Sequence, residues 1–201
     1  MIRIAVFASG RGSNLEALLD ALEGRRDAAI VLVASDRADA VALDRARARG
    51  VDTAIVAPED APAMLALLQG ARVDWIVLAG YLKRVPVEIV RRYRSRILNI
   101  HPALLPAHGG KGMYGERVHA AVLKAGEKLS GASVHLVDEE YDRGPVVAQE
   151  TVAVEPGDTA ATLAARVLDV EHRLLPAVVI AAAEGRIRVE EDRAWIEESE
   201  R

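Results

Sequence analysis

Ile2-Arg-Ile-Ala-Val-Phe-Ala8 runs directly into Ser9-Gly-Arg-Gly-Ser-Asn14 and then into a helical pattern over residues 14–23. A short, nearly continuous apolar run closed by a glycine turn and a helix opens a strand–helix–strand unit. A strand apolar on both faces belongs in a parallel sheet covered on both sides. The rhythm then repeats. Residues 29–34, 53–56, 75–79 and 97–100 read as further strands, and 40–49, 61–69 and 87–92 as the helices between them. The expected fold is α/β, a doubly wound, Rossmann-like, mostly parallel sheet.

Beyond residue 106 the rhythm breaks. Ala107-His-Gly-Gly-Lys-Gly-Met-Tyr-Gly115 is too rich in glycine for regular structure and reads as a loop, followed by a helix near 116–124. Strands at 132–137 and 145–154 flank Asp138-Glu-Glu-Tyr-Asp-Arg-Gly144. A last long helix starts at Thr159, capped by Asp158 or Thr159, and continues to about Glu184 with a bend at Pro176. One short strand at 187–189 and a charged end complete a mixed C-terminal portion.

Composition narrows the function. At 201 residues and 51% hydrophobic, the chain is expected to form one domain with a sizeable core. The net charge of −4 gives no pull toward nucleic acid, and the local cluster Arg91, Arg92, Arg94 and Arg96 reads as a solvated helix end. The absence of cysteine excludes disulfides and thiolate chemistry and fits a cytoplasmic enzyme. The apolar start lacks a cleavage pattern, and no run approaches the ~20 residues of a membrane span.

The chemistry concentrates in Leu98-Asn-Ile-His-Pro-Ala-Leu-Leu-Pro106. Alternate side chains of a strand share a face, so Asn99 and His101 project together, and Pro102 and Pro106 then stop the ladder. A donor beside a titratable imidazole suits a reaction that builds an oxyanion and moves a proton. The same spacing also fits a strand end capped by two polar residues. Asp142, in Tyr141-Asp-Arg-Gly-Pro145, can pair with an imidazole and raise its pKa, or belong to a solvated acidic turn.

After the first strand, Gly12, Ser13 and Asn14 meet a helix N-terminus, whose free N–H groups and dipole attract an anion. The turn lacks the third glycine of a dinucleotide fingerprint and carries no Gly-Lys-Ser/Thr, so a terminal phosphate fits better than a pyrophosphate. A plain capped turn is the alternative. In the last helix Leu163, Val167, Leu174 and Val178 form an apolar stripe on which Glu171 falls. A carboxylate there needs a cationic ligand, a partner such as Arg166 or Arg173, or solvent at the stripe's edge. His135 can face Asn99 and His101 from a neighbouring strand or sit as a core histidine. His108 lies in the glycine loop, and His119, on a surface helix, and His172 read as structural. No His-x-x-x-His spacing occurs, and no metal site is expected.

Six stretches in order, Ser9-Gly-Arg-Gly-Ser-Asn14, Val77-Leu-Ala-Gly80, Leu98 to Pro106, Ser133-Val-His135, Asp142-Arg-Gly-Pro145 and Glu171-His172, resemble the glycinamide ribonucleotide transformylase family, from Ile4 to about Trp195. The resemblance implies transfer of a formyl group from 10-formyltetrahydrofolate, as cosubstrate, to the amine of 5′-phosphoribosylglycinamide in purine biosynthesis, without a metal. It implies Asn99, His101 and Asp142 as the catalytic trio, Gly12, Ser13 and Asn14 on the substrate phosphate, and Glu171 on the glycinamide end. Leu82, Lys83, Arg84 and Val85, with Asn99 and the loop Asp138, Glu139, Glu140, Tyr141 and Asp142, would line the folate site. His135 and Lys111 would support, Lys111 by reaching a phosphate or the substrate amide, unless its loop is a mobile lid.

The implied organisation is one formyltransferase domain over residues 1–201, phosphate-binding in about 1–100 and folate-binding and catalytic in about 101–190. Its partners would be small molecules, with neither nucleic acid nor membrane, in a monomer or homodimer. Two departures stand out: residues 58–69 lack the arginine that better-known members place near the folate's glutamate tail, and the 109–115 loop is longer than in some relatives.

A 10-formyltetrahydrofolate hydrolase would use the same trio on water, but those enzymes carry an N-terminal regulatory domain, whereas strand one starts here at Ile2. A methionyl-tRNA formyltransferase needs a basic C-terminal domain, whereas this chain ends in Glu197-Glu-Ser-Glu-Arg201. Amino-sugar formyltransferases share the Asn99–Pro106 pattern. A non-catalytic phosphate or nucleotide sensor would require none of the trio.

Overall fold

Alternation along β1 (Ile2–Phe7) sets the layers: Ile4 and Val6 turn into one core, Ala5 and Phe7 into the other, all excluded from water. Burying a side chain such as Ile4 or Phe7 contributes about 1.5–3 kcal/mol, which fixes the strand between two helical layers. The computed structural model describes residues 1–198, so residues 199–201 of the charged end lie outside the described residues.

On the first face lie α1 (Ser13–Leu22), α2 (Val41–Ala48), α5 (Glu116–Lys124) and α6 (Ala160–Ala183), contributing Leu15, Leu18, Leu43, Val122, Leu163 and Val167 to that core. On the second lie α3 (Ala61–Gly70) and α4 (Val87–Arg92), with Met64, Leu68 and Ile89. The remaining strands are β2 (Ala28–Ser35), β3 (Asp52–Ile55), β4 (Trp75–Leu78), β5 (Ile97–His101), β6 (Leu129–Leu136) and β7 (Val146–Ala153). The seven-stranded sheet has the order β3-β2-β1-β4-β5-β6-β7, parallel from β3 to β5 and antiparallel at β6 and β7. This is the expected α/β architecture with a mixed C-terminal portion.

Two features of this topology position a site. The strand order reverses between β1 and β4, so the chains leaving their C-terminal ends diverge and open a crevice. The antiparallel β5–β6 pair then places Asn99 opposite His135 and His101 opposite Ser133.

Most expected elements fall within one or two residues of their observed bounds. β6 starts three residues earlier than expected, at Leu129. The tail is a hairpin of β8 (Ile187–Glu190) with β9 (Arg193–Ile196), rather than one strand. Thr159 caps α6: its side chain accepts from Thr162 N–H, while the Thr162 hydroxyl oxygen accepts from Thr159 N–H. α6 stays helical through the buried Pro176, which has no N–H to bond the His172 carbonyl.

Among the described residues no helix is long and apolar enough to cross a membrane.

Candidate active site

Gly12 caps α1 in the left-handed region, at φ 74°. A Cβ there would lie 2.8 Å from both Cα and Cβ of Ala42, whose N–H donates to Gly10 O at 3.1 Å. Both the backbone angle and the close approach of α2 therefore require glycine. The first backbone bond of α1 is Glu16 N–H to Gly12 O, which leaves the N–H groups of the first turn free at the crevice. Ser9 braces the turn: its hydroxyl donates to Asp36 Oδ1 at 2.6 Å and accepts from Leu82 N–H at 3.0 Å.

The crevice is a cleft of about 980 Å³. Gly12, Ser13, Asn14, Glu171, Asn99, His101, His135 and Asp142 line it, as do Lys111, Leu82, Lys83, Arg84, Val85, Asp138, Glu140 and Tyr141. One expected member is missing. Glu139 turns out of the cleft, where its carboxylate meets Arg91 at 2.8 and 3.2 Å and its carbonyl accepts from Arg84. It holds the 138–144 loop against α4 instead of facing a ligand.

Asn99, His101 and Asp142 converge. His101 Nδ1 lies 3.6 Å from Asp142 Oδ2, and Asn99 Nδ2 lies 3.5 Å from Asp142 Oδ1. His135 completes the group, its Nε2 standing 2.9 Å from Asn99 Nδ2 and 3.5 Å from Asp142 Oδ1. Carbonyl oxygens only accept, and this settles both neutral tautomers. His101 carries its proton on Nε2, donating to His108 O at 2.9 Å. His135 carries its proton on Nδ1, donating to Leu136 O at 2.9 Å, so its Nε2 accepts from Asn99.

Asp142 itself sits at φ 53°, and its Oδ2 accepts from Gly110 N–H at 2.8 Å. Burial pushes its carboxyl up, but the contact with His135, the charge of His101 and the Gly110 donor outweigh it, so its pKa falls below the ordinary aspartate value. It is a carboxylate at any working pH.

His101 behaves differently from the sequence-based expectation. It is only 3% exposed, and burial lowers its pKa more than Asp142 and the His108 carbonyl raise it. The pairing with Asp142 therefore does not raise the imidazole above its ordinary value, and at neutral pH the neutral ring is favoured. The sequence offered the pairing as one of two readings of Asp142 but gave no sign of the burial, which depends on every surrounding element.

Glu171 has neither of its anticipated arginine partners. Arg166 pairs with Asp158 at 2.8 Å, and Arg173 with Glu150 at 2.5 Å. Instead Asn14 Nδ2 donates to Glu171 Oε2 at 2.6 Å, across 157 residues of sequence. At 8% exposed, Glu171 is pushed by burial above the ordinary glutamate pKa, and the Asn14 bond only partly offsets this. Asn14 thus spends its side-chain amide on Glu171, not on a phosphate. Its backbone N–H stays at the helix terminus.

Sequence reasoning missed two contributors. Ser133, fully buried, donates to Ala103 O at 2.6 Å and accepts from Leu105 N–H at 3.0 Å and Gln149 Nε2 at 2.7 Å, tying down the chain just after His101. Ser133 was legible only as part of Ser133-Val-His135, and Gln149 carried no signal. His119, expected on a surface helix, is buried in the cleft wall. His172 does not line the cleft, in keeping with the structural role expected of it. Among the described residues no group of three or more histidine, aspartate or glutamate side chains is arranged to hold a metal ion.

The cleft therefore combines a free helix terminus, a buried carboxylate, and an amide–imidazole–carboxylate group suited to an oxyanion and a moving proton. A model of the family described as formyl transferase matches residues 2–179. The chain is 44% identical to a phosphoribosylglycinamide formyltransferase, chloroplastic, of Arabidopsis thaliana, over 94% of this chain and 68% of that protein. It superposes on the crystal structure of glycinamide ribonucleotide transformylase 1 from Symbiobacterium toebii with a TM-score of 0.90 and 41% identity, covering 98% of this chain and 95% of the other. A formyltetrahydrofolate deformylase from Pseudomonas syringae pv. tomato also superposes, with a TM-score of 0.87 and 27% identity, but this chain spans 66% of it. A match running from β1 into α6, over most of the chain, makes it a member of the formyl transferase family.

Proposed function

We propose that the chain transfers the formyl group of 10-formyltetrahydrofolate to the amine of 5′-phosphoribosylglycinamide, giving formylglycinamide ribonucleotide and tetrahydrofolate in purine biosynthesis. The observation that carries this over a hydrolase is Glu171. A buried carboxylate whose hydrogen bond comes from Asn14, in the wall of the catalytic cleft, gives an amine-bearing acceptor a place that water does not need. Names and likeness agree: the relatives reported above act as transformylases at higher identity than the deformylase.

The phosphate of the acceptor sits on the first-turn N–H groups of α1, at Gly12, Ser13 and Asn14. The folate lies against Leu82, Lys83, Arg84 and Val85 and the loop of Asp138, Glu140, Tyr141 and Asp142. Each half of the chain serves both substrates, since Leu82 to Val85 precede residue 100 and Glu171 follows it. The enzyme is one catalytic domain, cytoplasmic, acting as a monomer or homodimer on small molecules alone.

The neutral amine attacks the formyl carbon, forming the new C–N bond and leaving an oxyanion on oxygen and a positive charge on the attacking nitrogen. One Asn99 N–H stays on His135 while the other, only loosely held at 3.5 Å from Asp142 Oδ1, turns to donate to the oxyanion, a contact worth about 3 kcal/mol of barrier when it strengthens in the transition state. A proton then leaves the attacking nitrogen and reaches the folate nitrogen as the carbon–nitrogen bond to the folate breaks. His101 enters this step neutral, able to take the proton, and the adjacent Asp142 carboxylate stabilises the imidazolium that results. Such relay contributes about 10²–10⁴-fold. His135 fixes the Asn99 amide so that its nitrogen faces Asp142 and the cleft.

The test is a turnover assay with a 10-formyl folate, with and without 5′-phosphoribosylglycinamide. Folate release that requires the amine is the expected result. Release without it makes water the acceptor and overturns the proposal.

A further inference from the structure

His119 lies on the inner side of α5 with Val118 and Val122, is 3% exposed, and shares the cleft wall with Asn14, His101 and Glu171. Its Nδ1 is buried without a hydrogen-bond partner. A buried ring nitrogen left unpaired costs free energy, and polar groups so placed are ordinarily completed by a partner. The mechanism above uses Asn99, His101, Asp142 and His135 and leaves this imidazole without a task.

We propose that His119 hydrogen-bonds the acceptor at the neutral segment, ribose hydroxyls and amide, that joins its phosphate to its reacting amine. The inference rests on the transformylase function proposed above. Two observations place it there. His119 lines the same cleft as the α1 turn at Gly12, Ser13 and Asn14 and as His101, the two places assigned above to the ends of the acceptor. Burial and the charge of His101 also lower the His119 pKa, against a smaller raising effect of Glu116. A neutral imidazole offers one donor and one acceptor, which matches a hydroxyl or amide and not a phosphate dianion. Gly115, at φ 55° immediately before α5, sets the direction in which the helix leaves the glycine loop and so where His119 meets the cleft.

His119→Leu should raise the KM for 5′-phosphoribosylglycinamide about tenfold, as one buried hydrogen bond is lost, while kcat and the KM for the folate stay unchanged. His119→Asn, whose amide reaches near the position of Nδ1, should recover most of that loss. Thermal denaturation of both variants verifies folding. In the unaltered protein, the imidazole ¹⁵N signals of His119 should shift when the acceptor is added and stay in place with the folate alone.

An unchanged acceptor KM in folded His119→Leu, or ¹⁵N signals indifferent to the acceptor, overturns the assignment. Folate release by the unaltered protein that ignores the acceptor overturns the function beneath it as well. That result is read without any variant, so the two failures are distinct.

Discussion

Replacing Glu171 by Gln should make the protein more stable and a worse enzyme at once. The substitution keeps the shape of the side chain and an oxygen for Asn14 Nδ2, which now sits 2.6 Å from the carboxylate. What disappears is a charge in a site 8% exposed. On the binding side, a hydrogen bond between that charge and the acceptor is worth about 1.5–3 kcal/mol, so the acceptor KM should rise by roughly one to two orders of magnitude. On the stability side, relief of a functional buried charge typically returns about 1 kcal/mol, or about 2–4 °C in Tm for a chain of this length.

The pH dependence separates this gain from a generic packing effect. Burial raises the folded-state pKa of Glu171 above the ordinary value. Below that ordinary value the carboxyl is protonated folded and unfolded alike, and parent and variant should melt together. As pH climbs through the raised folded value, the parent must ionise Glu171 inside the cleft and loses stability that the variant keeps. The Tm difference should therefore open between acid and neutral pH. Melting curves from acid to neutral pH, with acceptor saturation curves at neutral pH, measure both effects. A variant that melts lower than the parent at neutral pH, a difference largest in acid, or an unchanged acceptor KM would refute the reasoning.

Asp142→Asn should leave the fold intact, because the amide oxygen still accepts from Gly110 N–H, yet cut kcat about 10²–10³-fold, since the imidazolium loses its counter-charge. Near-parental turnover in single-turnover kinetics would remove Asp142 from the mechanism. With His101 acting as proton acceptor from a lowered pKa, kcat/KM for the folate should fall in acid along a limb centred below the usual imidazole value. In the Asp142→Asn variant the residual activity should show that limb moved to still lower pH, because the carboxylate is what raises the imidazole. A limb displaced upward would reverse the assigned sign.

The fold was legible because its signal is local. Ile4 and Val6 against Ala5 and Phe7 declare a strand apolar on both faces, and α5 and α4 fall at their expected bounds. The placement of Asn99 and His101 in the cleft was equally open to reading, since they share a face by strand period alone. What escaped depends on distant pairing. Nothing near Asn14 announces that its amide crosses to Glu171, and nothing near Glu139 that Arg91 turns it away from the cleft. His119 looked like a surface residue because Arg117, Ala120 and Lys124 make the helix amphipathic on a narrow stripe, and the stripe's edge is the site wall. The charge state of His101 escaped for the same reason: the adjacent acid is visible in sequence, the surrounding burial is not.

The 107–115 segment holds both members of the proposed proton-handling pair by backbone atoms alone, His108 O on His101 and Gly110 N–H on Asp142. Neither contact depends on a side chain within that segment. The backbone path in turn needs its glycines, since Gly110, Gly112 and Gly115 hold positive φ and a Cβ at Gly109 would lie 2.6 Å from Leu105, and one inserted or deleted residue displaces the carbonyl from one partner and the amide from the other together. For protein engineering, the length of this loop is the quantity to hold constant: a shorter loop from a related enzyme would shift both contacts and the part of the cleft wall that residues 110–115 supply.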